Sequence, residues 1–191
     1  MGLAYAFKEW AVICRALAEG KQALILRKGG IAETAGEFAV EHTRFWLFPT
    51  FVHQQRAGIR PEAATLLEKA EAAKPPAGTI YLSHWAEVTG VYRIRDLTPA
   101  LLLAHLHFWS EETVRKRFAY REPGINALAV RIYRATAAHT ITDTAHYQGC
   151  KSWVDLGRDL PAADATPVLN ETDFDAIVNT IDRILLPTAL V

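Results

Sequence analysis

The chain has 191 residues, of which 50% are hydrophobic and 22% charged, and its formal net charge is zero. That length suits one domain with a sizeable core, and that balance excludes a globally disordered chain or a strongly basic nucleic-acid coat. Its apolar runs are broken by His and Pro and fall short of the roughly 20 residues that a membrane-spanning helix needs.

The first ten residues, MGLAYAFKEW, lack the basic segment, apolar core and cleavage site of a signal peptide. A soluble, cytoplasmic protein with no membrane partner is expected. Ala6 stands where a myristoylation signal carries Ser or Thr. Cys14 and Cys150 form no CxxC pair and are read as reduced thiols. Charge is unevenly spread: residues 1–150 hold 18 Lys and Arg against 14 Asp and Glu, and residues 151–191 hold 3 against 7. A mildly basic body with an acidic tail suits an anionic ligand on the body.

In chain order, Phe7, Trp10, Cys14 and Leu17 recur at helical spacing, so Phe7–Glu19 is read as a helix stopped by Gly20. Gln22–Arg27 is a short apolar strand broken by Lys28-Gly29-Gly30. Glu37–Glu41 is a second strand, and Arg44–Val52 a third, with Pro49 marking an edge or bulge. Pro61 opens a helix that runs to about Ala73. Thr79–Leu82 and Ala86–Ile94 are strands, with Gly90 at a bulge. Two helices follow, over 99–107 after Thr98-Pro99 and over 111–119 after the cap Ser110. Asn126–Ala135 is a strand, Thr140–Tyr147 a weaker one, and Pro161–Pro167 a loop. In the last helix Phe174, Ile177, Val178, Ile181, Ile184 and Leu185 form one stripe, and Glu171, Asp173 and Asp175 lie in its first turn. No GxGxxG or GxxxxGK[ST] loop is present, which excludes the common nucleotide-binding fingerprints. The whole reads as a single α+β domain over residues 1–191: a small, mixed, partly open β-barrel or α+β sandwich with flanking helices and a C-terminal amphipathic helix.

Functional residue types concentrate between Lys21 and Gln54. Lys21, Arg27 and Lys28 lie beside glycines, where backbone can approach a ligand and cations can hold phosphate. Glu41, His42 and His53 are candidate catalytic groups, since histidine exchanges protons near neutral pH. Trp46 is a candidate stacking platform, and Thr50 and Gln54 are candidate polar contacts. Histidines 105 and 107 point to different faces, and no metal ligand set is identified. Cys150 beside Lys151 is read as a small residue in a turn rather than a nucleophile. Arg115-Lys116-Arg117 is read as a solvated helix face, with phosphate contact as the alternative.

The segments AFKEWAVICRALAEGKQALILRKGGIAE, FAVEH, FWLFPTFVHQ and YQGCKSWVDL resemble the uncharacterised prokaryotic family DUF1802, over nearly the whole chain. The order Gly20-Lys21…Arg27, Val88–Ile94, Thr98-Pro99, Ser110–Glu112 and Ala127–Ile132 also resembles the ASCH branch of the PUA-like domains. That second resemblance implies a barrel that binds RNA or modified bases, with some members acting as hydrolases. The chain departs from the pattern: Gln22 stands at the Lys position two residues after Gly, and Ile25 at a polar strand position, so a Lys-Thr-Glu hydrolase site is not reproduced.

The expected function is recognition of RNA or a nucleotide-like anionic ligand in a cleft formed by residues 27–54. The alternatives are a metal-dependent nuclease or other hydrolase, and a non-enzymatic partner module using the acidic terminal helix. Catalysis, cofactor and oligomeric state are left open at this level.

Overall fold

A computed structural model describes residues 1–28, 40–149 and 152–186. Seven strands, β1 (Gly2–Trp10), β2 (Leu24–Arg27), β3 (Arg44–Thr50), β4 (Thr79–Ile94), β5 (Ile125–Thr142), β6 (Trp153–Pro161) and β7 (Thr166–Pro167), form one sheet. Its order is β2-β5-β4-β3-β1-β6, with β7 paired to β5. The pairing β1–β3 is parallel and the others are antiparallel. Five α-helices accompany it among the described residues: α1 (Ala11–Ala18), α2 (Ala64–Ala72), α3 (Leu97–Leu102), α4 (Glu111–Ala119) and α5 (Glu171–Leu185). The architecture is therefore mixed α+β. The expected barrel closure is absent from it: β2 and β6 end the path, and no backbone pairing joins them among the described residues.

Side chains that alternate along the strands feed two cores. Phe7 of β1 and Phe45 and Leu47 of β3 join α1, Trp109 and the strand β2 in the larger one. Ala6, Trp46 and Phe48, one residue away on the same strands, join Leu82, Trp85 and Val154 in the second. Trp46 is fully buried there.

Several elements differ from expectation. Phe7–Trp10 is strand, and the helix begins only at Ala11. With β3 on one side and β6 on the other, β1 is apolar on both faces, so it lacks the alternation that marks a half-buried strand. The separate strands expected over 79–94 and over 126–147 are two long strands, β4 and β5. Their ladder shifts register between Leu82 and His84 and again between Val88 and Gly90, the second at the expected bulge. Strand β6 was not foreseen. The strand expected over 37–41 falls mostly outside the described residues, as do Gly29, Gly30, Cys150 and Lys151; Glu41 itself lies in a bend.

Helices α4 and α5 start where their caps dictate. Ser110 Oγ accepts from Thr113 N at 3.2 Å, and Asn170 Oδ1 from Asp173 N at 2.9 Å. The α5 stripe is covered: Phe174 and Ile181 are buried, and Ile177, Val178, Ile184 and Leu185 pack on the main core. Tyr92 Oη donates to Asp182 Oδ1 at 2.7 Å and ties α5 to β4. An exposed apolar face on α5, which a partner module would need, is not found. No helix among the described residues is long and apolar enough to cross a membrane.

Candidate functional site

The parallel strands β1 and β3 end side by side, Trp10 opposite Thr50, and a cavity of about 880 Å³ opens beyond them. Its walls come from the end of β1, one face of α1, the segment 47–53, the turn after α2, the start of β4, Arg27 and Arg117. Cations prevail on these walls: Lys8, Arg15, Arg27, Lys74 and Arg117 against Glu9 and Asp143.

Glu9 is the buried acid of this set. It is 2% exposed, its Oε1 accepts from Trp10 N at 2.8 Å, and its Oε2 has no hydrogen-bond partner among the described residues. Arg27 Nη1 lies 4.0 Å from that oxygen, an ion-pair distance too long for a hydrogen bond. The Arg27 guanidinium also lies over the Phe7 ring, 5.0 Å from its centroid, and donates to Ser152 Oγ through Nε and Nη2. Arg117 stacks on Trp109 at 3.6 Å and donates to Leu26 O at 3.0 Å. Burial pushes the Arg117 pKa down to about 10, the Glu9 charge opposes that, and Arg27 adds to it. At neutral pH the guanidinium stays charged. Lys8 Nζ donates to the carbonyls of Tyr147 and Gly149, which fixes the 147–149 segment against β1.

On the far wall, Ser83 Oγ lies 2.9 Å from His84 Nδ1. Burial, then Arg134 and Arg15, lower the His84 pKa to about 4, so its ring is neutral at physiological pH. Cys14 also lines the cavity; burial and then Glu9 raise its pKa, which keeps it a thiol.

The structure brings Arg27, Thr50 and His53 to this cavity. Thr50 Oγ1 donates to Glu9 O at 3.1 Å, and His53 takes a left-handed backbone, φ 63°, on the rim. The other expected site residues lie elsewhere. Trp46 cannot offer a face for stacking, because both of its faces are in the second core and His139 meets it edge-on at 4.9 Å. Lys28 Nζ is held by the carbonyls of Phe118, Glu122 and Gly124, where it secures the chain after α4. Lys21 pairs with Glu19 Oε2 at 2.9 Å, and Gln54 Oε1 caps α1 by accepting from Val12 N at 2.8 Å. His42 stacks on Tyr5 with ring centroids 3.5 Å apart, and Glu41 is exposed; neither lines the cavity. Gln22, at the departure from the ASCH pattern, is buried and bridges Leu24 O and Phe108 N, a structural role.

Glu9 and Lys8 are the cavity residues that sequence reasoning missed, and Arg117 is the one whose run was read first as a solvated helix face and only alternatively as a phosphate contact. Within the run 115–117 only Arg117 turns inward, while Arg115 and Lys116 pair with Glu111 and Glu112 on the exposed face at 2.7 and 2.6 Å. Its signal was its place on α4: Val114, Arg117 and Phe118 share one face by three-to-four spacing. Among the described residues no group of three or more His, Cys, Asp or Glu could hold a metal ion, so the convergence of acids that a metal-dependent nuclease requires is not found there.

Residues 6–180 match the domain of unknown function DUF1802. The fold is similar to the crystal structure of ASCH from Zymomonas mobilis, at TM-score 0.46 and 13% identity over 92% of this chain and 93% of that one. Two substituted forms of the same Zymomonas mobilis protein align at TM-scores 0.45 and 0.41, with 13% and 12% identity, over 92% of this chain and 96% and 94% of theirs. No curated protein matches the chain.

Proposed function

Starting from a chain that belongs to the DUF1802 family, we propose that it binds single-stranded RNA or a nucleotide-like anionic ligand in the cavity at the ends of β1 and β3. The observation that carries this reading is the convergence of Arg27 and Arg117 on a cavity of about 880 Å³ that also holds a buried carboxylate. A volume of that size accommodates a mononucleotide or the end of a strand. Two guanidiniums, with Lys8, Arg15 and Lys74 on the same walls, favour an anion over a cation. Trp10, Phe48 and Phe51 line the same space and offer apolar surface to a base.

The site shifts the expected cleft without abandoning it. Arg27 and the segment 47–53 remain, while Trp46, Lys28 and Lys21 give way to Glu9, Arg117 and Lys8.

The test is fluorescence anisotropy with labelled single-stranded RNA, hairpin RNA and duplex DNA at low and physiological salt. Single-stranded RNA should bind in a salt-dependent way, and Arg27→Ala should weaken it about tenfold, the effect of one lost charge-assisted contact. Absence of binding by all three nucleic acids and by nucleoside monophosphates sinks the reading.

A further inference from the structure

Arg27 and Arg117 keep donors that the fold does not use. Arg27 closes β2, and Arg117 donates through Nη1 to the carbonyl of Leu26, the residue before it, so α4 seats a second guanidinium beside the same strand end. Arg27 commits Nε and Nη2 to Ser152 Oγ. Its Nη1, and Nε and Nη2 of Arg117, have no hydrogen-bond partner among the described residues, and none of these three nitrogens is buried. Both side chains line the cavity. Neither can swing outward: Arg27 is held by Ser152 and lies over the Phe7 ring, and Arg117 is held by Leu26 O and stacks on Trp109 at 3.6 Å. The Arg27 side chain is 21% exposed, while Val52, Lys74 and Tyr81 on the same walls are exposed, so the guanidiniums sit in the recess of the cavity. An anion must therefore come to them. The interior of a strand would have to enter and leave that recess, whereas a strand end reaches it once.

Resting on the reading that the cavity takes a nucleotide, we infer that Arg27 and Arg117 grip a terminal phosphate, the monoester at the end of a strand or on a mononucleotide, in preference to the diesters along a strand. A phosphate monoester presents three acceptor oxygens and a charge of roughly −1.5 to −2 at neutral pH. A backbone diester presents fewer free oxygens and a single charge. Three free guanidinium nitrogens can each meet an oxygen of their own only on the monoester. Stacking on Trp109 leaves the in-plane N–H groups of Arg117 available for such a fork. The charge agrees, because the two guanidiniums repel one another and five cations face two acids over the whole lining.

Calorimetric titration with unlabelled RNA hexamers of one sequence tests this. The hexamers carry hydroxyls at both ends, a 5′-phosphate, a 3′-phosphate, or the methyl ester of whichever end phosphate binds. At least one phosphorylated form should bind about tenfold more tightly than the hydroxyl-ended one, the ratio expected for one charged hydrogen bond. Which form gains identifies the strand end. The methyl ester keeps the phosphorus in place but removes a charge and a free oxygen, and it should lose most of the gain. A hydroxyl-ended octamer has roughly the total charge of a phosphorylated hexamer and should not recover the gain. Arg27→Ala should reduce it. Equal binding of the hydroxyl-ended and both phosphorylated hexamers by the wild type overturns the inference alone and leaves the nucleotide reading standing. A methyl ester or octamer that matches the phosphorylated hexamer does the same, as does an unchanged ratio in a folded Arg27→Ala chain. Binding of none of these oligomers, nor of nucleoside monophosphates, overturns the nucleotide reading and this inference with it.

Discussion

Arg27 donates through Nε and Nη2 to Ser152 Oγ at 3.1 and 2.6 Å, and this one side-chain contact links the two ends of the sheet path. Arg27 closes β2, and Ser152 precedes β6. Ser152 O in turn accepts from Lys8 N at 2.9 Å, so the same residue is anchored to β1. The cavity cation is thereby held from both sides of the molecule. Ser152→Ala should lower stability by about 1.5–3 kcal/mol, the worth of a part-buried hydrogen bond to a charged group. Urea unfolding measures it, and an unchanged midpoint would mean that the contact contributes nothing.

Gln54 is a cap rather than a ligand contact. Its Oε1 accepts from Val12 N in the first turn of α1, and its Nε2 donates to Glu71 Oε1 at 2.5 Å on α2. Gln54→Ala should cost about 1 kcal/mol, as the loss of other N-terminal caps does. Thermal unfolding should show the loss, while the affinity for RNA changes little.

Stability should fall as the solution is acidified in two separable steps. His107 is buried, and its Nδ1 accepts from Trp109 N at 3.2 Å, which requires the neutral ring. Burial first, then Arg60, Arg117 and His105, lower its pKa from 6.5 to about 4. Below pH 6.5 the unfolded chain takes up a proton that the folded chain refuses, so stability declines from there down to about pH 4. Glu19, paired with Lys21 and Arg15, has its pKa lowered from 4.5 to about 2; its contribution is complete above pH 4.5 and disappears towards pH 2. His107→Asn keeps an acceptor near the Nδ1 position and cannot titrate. It should reduce the upper step, read as unfolding free energy against pH, without abolishing it, because the His84 pKa is lowered to about 4 as well, and it should leave the lower step unchanged.

Gly58 leaves room for Trp10. A Cβ there would stand 2.5 and 2.6 Å from the edge of the Trp10 ring. Trp10 packs edge-on against Trp109 at 4.8 Å and lines the cavity. Gly58→Ala should displace it, with a loss of about 1–3 kcal/mol, the usual cost of overpacking. Tryptophan emission and thermal unfolding both report the change, and native values for both would show that the ring moves aside freely.

Helices α4 and α5 were legible because a cap and a periodic stripe agreed at each. Strand β1 was not, because Phe7, Trp10, Cys14 and Leu17 fall at helical spacing across a junction of two elements. No local pattern marks that change, since the strand is buried on both faces. In the site, Arg27 announced itself at the end of an apolar strand. Glu9 did not, and Arg117 did so only as the lesser reading of its run, because an acid at residue 9 and a cation at residue 117 acquire meaning only when β1, β2 and α4 pack together. Trp46 misled for a related reason: its neighbours on β3 serve one core while it serves the other, and composition is the same either way.

The position of β1 between β3 and β6 also sets a timetable for the nascent chain. The strand made first can take its first neighbour only after residue 50 and its second only after residue 161. During synthesis it emerges as an apolar ribbon with an open edge, the kind of segment that invites wrong pairing. Lys8 and Glu9 ride on that ribbon, so one wall of the cavity stays on an unpaired edge until β6 has docked beside β1. A ribosome-bound chain truncated before residue 153 should therefore carry every residue that lines the cavity, from Lys8 to Gly149, on a β1 that still lacks its second neighbour.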